Sequence, residues 1–126
     1  MPLVTISVRK PKTGAFKSAV LDAVHGALVS SGVPQADKFH RVLELDAEDF
    51  RFDTGYPDVA GARNDDFVLI EIVWSAGRSV KVKKAMLADL MSRLAQAGLD
   101  PENVMVVFKE TTWENWSFAG GRLIHT

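Results

Sequence analysis

The sequence predicts an α+β fold in which one β-α-β unit is used twice to build a single mixed sheet with both helices on one face. Three observations carry this. Two stretches alternate or run apolar at strand length, each followed by a segment with helical apolar spacing and then by a second short apolar run. The two halves match without a gap at a shift of about 66 residues. The matches fall on core and on punctuation alike: Leu3 on Leu69, Ile6 on Ile72, Thr13 on Ser79, Leu28 on Leu94 and Gly32 on Gly98.

In the first unit, about residues 2–45, Val4, Ile6 and Val8 alternate along a predicted strand Leu3–Val8. Pro11-Lys12-Thr13-Gly14 breaks it. Phe16, Val20, Val24, Ala27 and Leu28 then recur at helical spacing, with Thr13 as N-cap and Gly32 as the stop. Phe39–Leu45 reads as the second strand. In the second unit, about residues 67–110, the near-continuous apolar run Phe67–Trp74 reads as a central strand. Ser79 caps a helix carrying Val82, Met86, Leu90, Met91 and Leu94, Gly98 ends it, and Val104–Phe108 is the final buried strand. Both crossovers are expected to be right-handed.

Two segments lie outside the repeat. Asp46–Asp66 is rich in Asp, Gly and Pro, and Phe50, Phe52 and Tyr56 are expected to form a short hairpin covering a sheet edge. The tail 111–126 places Trp113, Trp116 and Phe118 within six residues, ahead of Gly120-Gly121. Two readings stand for it: it folds back on its own sheet, or it walls a pocket or packs on a neighbouring subunit.

Length and composition bound the function. A chain of 126 residues suits one domain with one core. A net charge of −1 gives no field directed at nucleic acid or membrane, and no apolar run reaches transmembrane length. No signal-peptide pattern opens the chain, because Arg9, Lys10 and Lys12 follow its first apolar stretch. Cysteine is absent, which removes disulfides, thiol catalysis and thiolate metal sites and fits a cytoplasmic protein.

Pro2, directly ahead of a strand, is open to two readings. A proline has no N–H for a sheet ladder and is tolerated at a strand's first residue. Freed by removal of Met1, it is instead a secondary amine fixed on a rigid element. His25 sits mid-helix at the position matched by Met91 and reads as a structural histidine. With no ligand-spaced partner on that helix, no zinc site is expected. Lys81, Lys83 and Lys84 read as a solvated helix face.

A strand that starts at a second-position proline, followed by doubled β-α-β units, resembles the tautomerase superfamily, the 4-oxalocrotonate tautomerase-like proteins. "LDAVHGALVSSGVPQAD" at Leu21–Asp37, "GRSVKVKK" at Gly77–Lys84 and "ENWSFAGG" at Glu114–Gly121 are similar to its malonate semialdehyde decarboxylase-like branch. The resemblance implies a homotrimer acting on small keto or enol acids, without metal or organic cofactor, through the amine of Pro2. It implies roles for Asp37, through a hydrogen bond or an activated water, and for Arg78 as the carboxylate anchor. A free α-amine titrates at roughly 8, and an apolar pocket lowers that value towards a useful general base. Val4, Ile6, Trp116 and Phe118 are the expected apolar surroundings, with Trp116 and Phe118 touching substrate. Arg78 precedes a helix N-terminus, and its planar fork suits a bidentate pair.

One difference from the branch stands out. Its pattern has two arginines around a proline where this chain reads Ser75-Ala76-Gly77-Arg78. The single arginine weakens a decarboxylase reading more than a proton-transfer reading, with Arg63 and Arg122 as candidate replacements. Three functions therefore remain: a tautomerase, a decarboxylase or hydratase on a three-carbon acid, and a non-catalytic oligomer that binds a small ligand or a protein.

Overall fold

The computed structural model describes residues 2–124; Met1, whose removal the Pro2 chemistry requires, and the last two residues of the tail lie outside them. The chain runs β1 (Leu3–Arg9), α1 (Gly14–Ser30), β2 (Phe39–Leu45), β3 (Val68–Ser75), α2 (Val80–Gln96) and β4 (Val104–Thr111), with single 3-10 turns at Ala47–Asp49, Pro101–Asn103 and Trp113–Asn115. The sheet order is β2-β1-β3-β4. Each unit pairs its own strands in parallel, Leu3 with Phe39 and Val68 with Val104. The units join antiparallel through β1 and β3, Leu3 opposite Val73. The doubled β-α-β arrangement in one mixed sheet is therefore as the sequence predicts.

Both helices start and stop by the same local chemistry. The Thr13 hydroxyl accepts the Phe16 amide at 3.1 Å, and the Ser79 hydroxyl accepts the Val82 amide at 3.2 Å. At the other ends Gly32 (φ 112°) and Gly98 (φ 86°) take the left-handed conformation. Val33 and Leu99 then donate back to the Leu28 and Leu94 carbonyls at 3.0 Å, closing the last turn of each helix.

The core lies between the helices and one sheet face. Val4, Ile6 and Val8 of β1 and Val68, Ile70, Ile72 and Trp74 of β3 meet Val20, Val24 and Leu28 of α1 and Met86, Leu90 and Leu94 of α2. Each such side chain contributes roughly 1.5–3 kcal/mol through burial. The opposite sheet face is open, and Phe39, Leu43 and Met105 are exposed on it.

The expected hairpin over 46–66 is not formed. After the Ala47–Asp49 turn the segment carries no strand. Phe50 and Phe52 pack on Phe67, ring centroids 5.9 and 4.4 Å apart, under the Arg9 guanidinium, while Tyr56 is exposed. Arg63 holds the loop by donating to the Asp53, Tyr56 and Pro57 carbonyls. The guanidinium fork thus serves carbonyls that a hairpin would have paired with backbone amides. The last strand also runs further than expected, to Thr111.

Candidate active site

The strand directions bring Pro2, Asp37, Arg78, Trp116 and Phe118 to one end of the sheet. β1 and β2 begin there, and β3 and β4 end there. Pro2 is buried ahead of β1. Asp37, also buried, precedes β2, and Arg78 follows β3. From the end of β4 the tail turns back to the start of β1 and β2 and walls a cavity there, which joins the fold-back reading of the tail to the pocket-wall part of the other.

A cavity of about 220 Å³ lies at this end, lined by Pro2, Leu3, Phe39, Trp116, Ser117 and Phe118. The Trp116 and Phe118 rings stack with centroids 6.0 Å apart. The cavity therefore joins Pro2 to the two aromatic residues of the tail and, among the described residues, has no charged side chain in its wall. Val4 and Ile6, expected around Pro2, lie instead in the main core. Asp37 and Arg78 stand at the same sheet end but outside the cavity wall.

Arg78 is held in a defined way. Its guanidinium carbon is 4.1 Å from the centroid of the Trp74 ring, which itself stacks on Phe108 at 4.7 Å and 10°. One terminal nitrogen donates to the Ser75 carbonyl at 2.7 Å. Burial draws the Arg78 pKa below its usual value, and the charge of Glu110 opposes that. Glu110 is paired with Lys83 of α2, so Lys83 belongs to an ion pair and is not the wholly solvated lysine expected. The remaining face of the Arg78 fork has no hydrogen-bond partner among the described residues and suits an incoming carboxylate.

His25 is structural in this arrangement, as its position predicts. It is buried in α1, and its Nε2 bonds the Gln35 carbonyl at 2.9 Å, tying the helix to the segment that carries Asp37. Its ring meets His40 of β2 edge-on at 5.3 Å. The His40 pKa is lowered by burial first, then by the neighbouring His25 and Lys38, with Asp22 acting the other way.

Neither candidate second arginine joins the cavity wall. Arg63 is committed to the 46–66 loop at the opposite sheet end. Arg122 lies in the exposed tail beyond Phe118.

The repeat gives the opposite end a counterpart with different chemistry. Lys12 takes the place of Arg78 and donates to the Arg9 carbonyl at 2.8 Å, as Arg78 does to Ser75. Its ammonium is already within 3.5 Å of Asp66. Asn103, in the place of Asp37, is hydrogen-bonded to Asn64, and Val68 stands where Pro2 stands. At that end the counterpart cation is already ion-paired, and no proline stands at the counterpart of Pro2.

No local pattern around Arg78 signals the platform beneath it. Trp74 reads there as one more residue of a buried strand, and only the pairing of β3 with β4 brings Phe108 under it.

The chain is similar in sequence and fold to known proteins. A sequence model of the family described as "Tautomerase enzyme" matches residues 37–119. The probable tautomerase YusQ of Bacillus subtilis (strain 168) is 26% identical over 124 residues, 97% of this chain and 96% of its own. The crystal structure of FG41 malonate semialdehyde decarboxylase inhibited by 3-bromopropiolate superposes with a TM-score of 0.87 at 26% identity, covering 96% of this chain and 92% of that one. A fused 4-OT solved as a symmetric trimer superposes with a TM-score of 0.72 at 28% identity, covering 95% and 94%. The match from β2 through the whole second unit into the tail, on a fold shared along nearly the whole chain, makes this protein a member of the tautomerase enzyme family.

Proposed function

We propose that the chain is a tautomerase-like enzyme that moves a proton between the oxygen and carbon positions of a small 2-oxo acid and its enol. The observation that carries this is the position of Pro2, buried in the wall of a cavity whose other walls are mostly apolar. With Met1 removed, the Pro2 nitrogen is a secondary amine whose charged form this wall disfavours, so it is partly neutral near pH 7. It takes the enol hydroxyl proton and returns a proton to the substrate carbon. Arg78 binds the substrate carboxylate, and Asp37 orients substrate or water. Trp116 and Phe118 cover the carbon skeleton. The reaction uses no metal or organic cofactor.

The likeness to malonate semialdehyde decarboxylase favours a second reading, decarboxylation or hydration of a three-carbon acid. In that chemistry the protonated Pro2 places a positive charge beside the substrate, or the amine forms an iminium. The single arginine favours proton transfer, because decarboxylation also requires the carboxylate to be held with its C–C bond aligned to the carbonyl π system. The assembly we propose is a homotrimer in which the tail from Trp113 onward touches a neighbour. A related fused 4-OT is a trimer, and Phe39, Leu43 and Met105 are exposed on the open sheet face.

Intact mass followed by assay of phenylenolpyruvate and malonate semialdehyde tests the function. The expected result is a mass lacking Met1 and a larger kcat/KM on the enol acid. A larger value on malonate semialdehyde replaces this reading with the second, and no turnover of either by the processed chain leaves a ligand-binding member of the fold.

A further inference from the structure

Ser75 ends β3 with 2% of its surface exposed, and its hydroxyl has no hydrogen-bond partner among the described residues. A buried hydroxyl left in that condition is costly, so one in a native fold calls for an explanation. Its position supplies one. Leu3 pairs with Val73, which brings Pro2 level with Trp74 and puts Ser75 one step beyond it. By strand alternation Ser75 shares with Val73 and Leu3 the sheet face away from the helices.

The tail runs past this strand end. It leaves β4 at Thr111, the partner of Ser75, and reaches Leu3 and Phe39 on β1 and β2. Because β3 lies between β4 and β1, the tail crosses the end of β3 on the way. The Ser75 carbonyl accepts from Arg78 at 2.7 Å, while the hydroxyl has no partner among the described residues.

We propose that the Ser75 hydroxyl accepts a hydrogen bond from the protonated amine of Pro2 and so sets the basicity of that amine. This rests on the reading of Pro2 as a free terminal amine. When the amine takes the substrate's proton it carries two N–H groups. One proton goes back to the substrate carbon, and the other N–H points to Ser75 Oγ. A bond to the charged form raises the pKa of the amine, opposing the apolar cavity wall that lowers it. Ser75 therefore keeps the amine basic enough to remove the proton in a site that would otherwise leave it a weaker base. The charged groups at this sheet end include Asp37 and Lys38 before β2, Arg78, Lys81 and Lys83 beyond β3, Lys109 and Glu110 on β4 and Glu114 in the tail. Substituting Ser75 leaves all of them in place, so its effect isolates the hydroxyl.

The test is a titration of the Pro2 nitrogen by NMR in ¹⁵N-proline-labelled protein, for wild type, Ser75→Ala and Ser75→Thr. Of the five prolines, only a terminal one can titrate. Ser75→Ala is expected to lower the amine pKa by about one unit, and Ser75→Thr to hold it near the wild-type value. The rising limb of kcat/KM against pH is expected to move by the same amount. A merely structural serine moves melting temperature and leaves the titration where it was. An unshifted amine in Ser75→Ala overturns the inference. The NMR reading decides it even if no assayed substrate turns over, which would count against the proposed function alone. A retained Met1 leaves no amine to titrate and overturns both.

Discussion

The Arg78 guanidinium lies 4.1 Å from the Trp74 ring centroid, fixed there by a second contact to the Ser75 carbonyl. The arrangement holds the plane of the fork while leaving its other donors for a carboxylate. If Arg78 binds substrate and transition state alike, Arg78→Ala mainly raises KM, with a smaller fall in kcat. Loss of a charge-assisted pair costs roughly 1.5–3 kcal/mol, about tenfold to a hundredfold in kcat/KM. Arg78→Lys recovers part of it, because the ammonium keeps the charge and loses both the fork and the stack. Steady-state kinetics on phenylenolpyruvate and on malonate semialdehyde check this; a steep fall in kcat on malonate semialdehyde points instead to decarboxylation, where orientation is limiting.

The two helix caps give matched predictions on stability. Thr13→Ala and Ser79→Ala each remove the side-chain acceptor at an N-terminus. Each is expected to cost about 1 kcal/mol, and the double variant about the sum, since the caps lie on different helices. Urea unfolding of the four proteins measures this, and a cap substitution without effect contradicts the role assigned to that hydroxyl.

His40 gives a pH dependence with a definite sign. Its folded-state pKa is lowered from about 6.5, chiefly by burial, so the folded state binds the proton less readily than the unfolded chain. The associated stability is complete above pH 6.5 and is lost as pH falls below it towards the folded-state value. His40→Gln is therefore expected to flatten melting temperature against pH between about 7 and 5 relative to wild type. An unchanged slope in that window assigns it to other groups.

Assembly is tested at the open sheet face. Leu43→Asp puts a charge on an exposed apolar position of β2 while sparing the core. Sedimentation equilibrium is expected to give a trimer for wild type and a smaller species for the variant. A stable wild-type monomer at micromolar concentration contradicts the proposed trimer.

Much of the fold was legible because its signals are local. Thr13 and Gly32, or Ser79 and Gly98, mark helix ends by backbone chemistry that needs no distant partner, and the 66-residue shift repeats them. Phe50 and Phe52 misled because short aromatic spacing reads as strand, whereas here they bury against Phe67 under Arg9. Their state depends on a residue about fifteen positions away, and on Arg63 satisfying the loop carbonyls. The site was half legible. The second-position proline and the aromatic tail are visible in the sequence, and the cavity joins them. Trp74 beneath Arg78 and the buried hydroxyl of Ser75 were not, because both follow from strand register and from the path of the tail across the sheet.

The most direct test of the account is the turnover of phenylenolpyruvate by Pro2→Ala, compared with wild type after intact mass has shown both chains to lack Met1. The variant keeps a terminal amine but changes its basicity and its shape on a position that the fold holds rigid. An unchanged fold by circular dichroism and a fall in kcat/KM of at least about a hundredfold, the scale of a lost general base, are expected. Turnover by Pro2→Ala equal to that of wild type would contradict the role of Pro2 as the base.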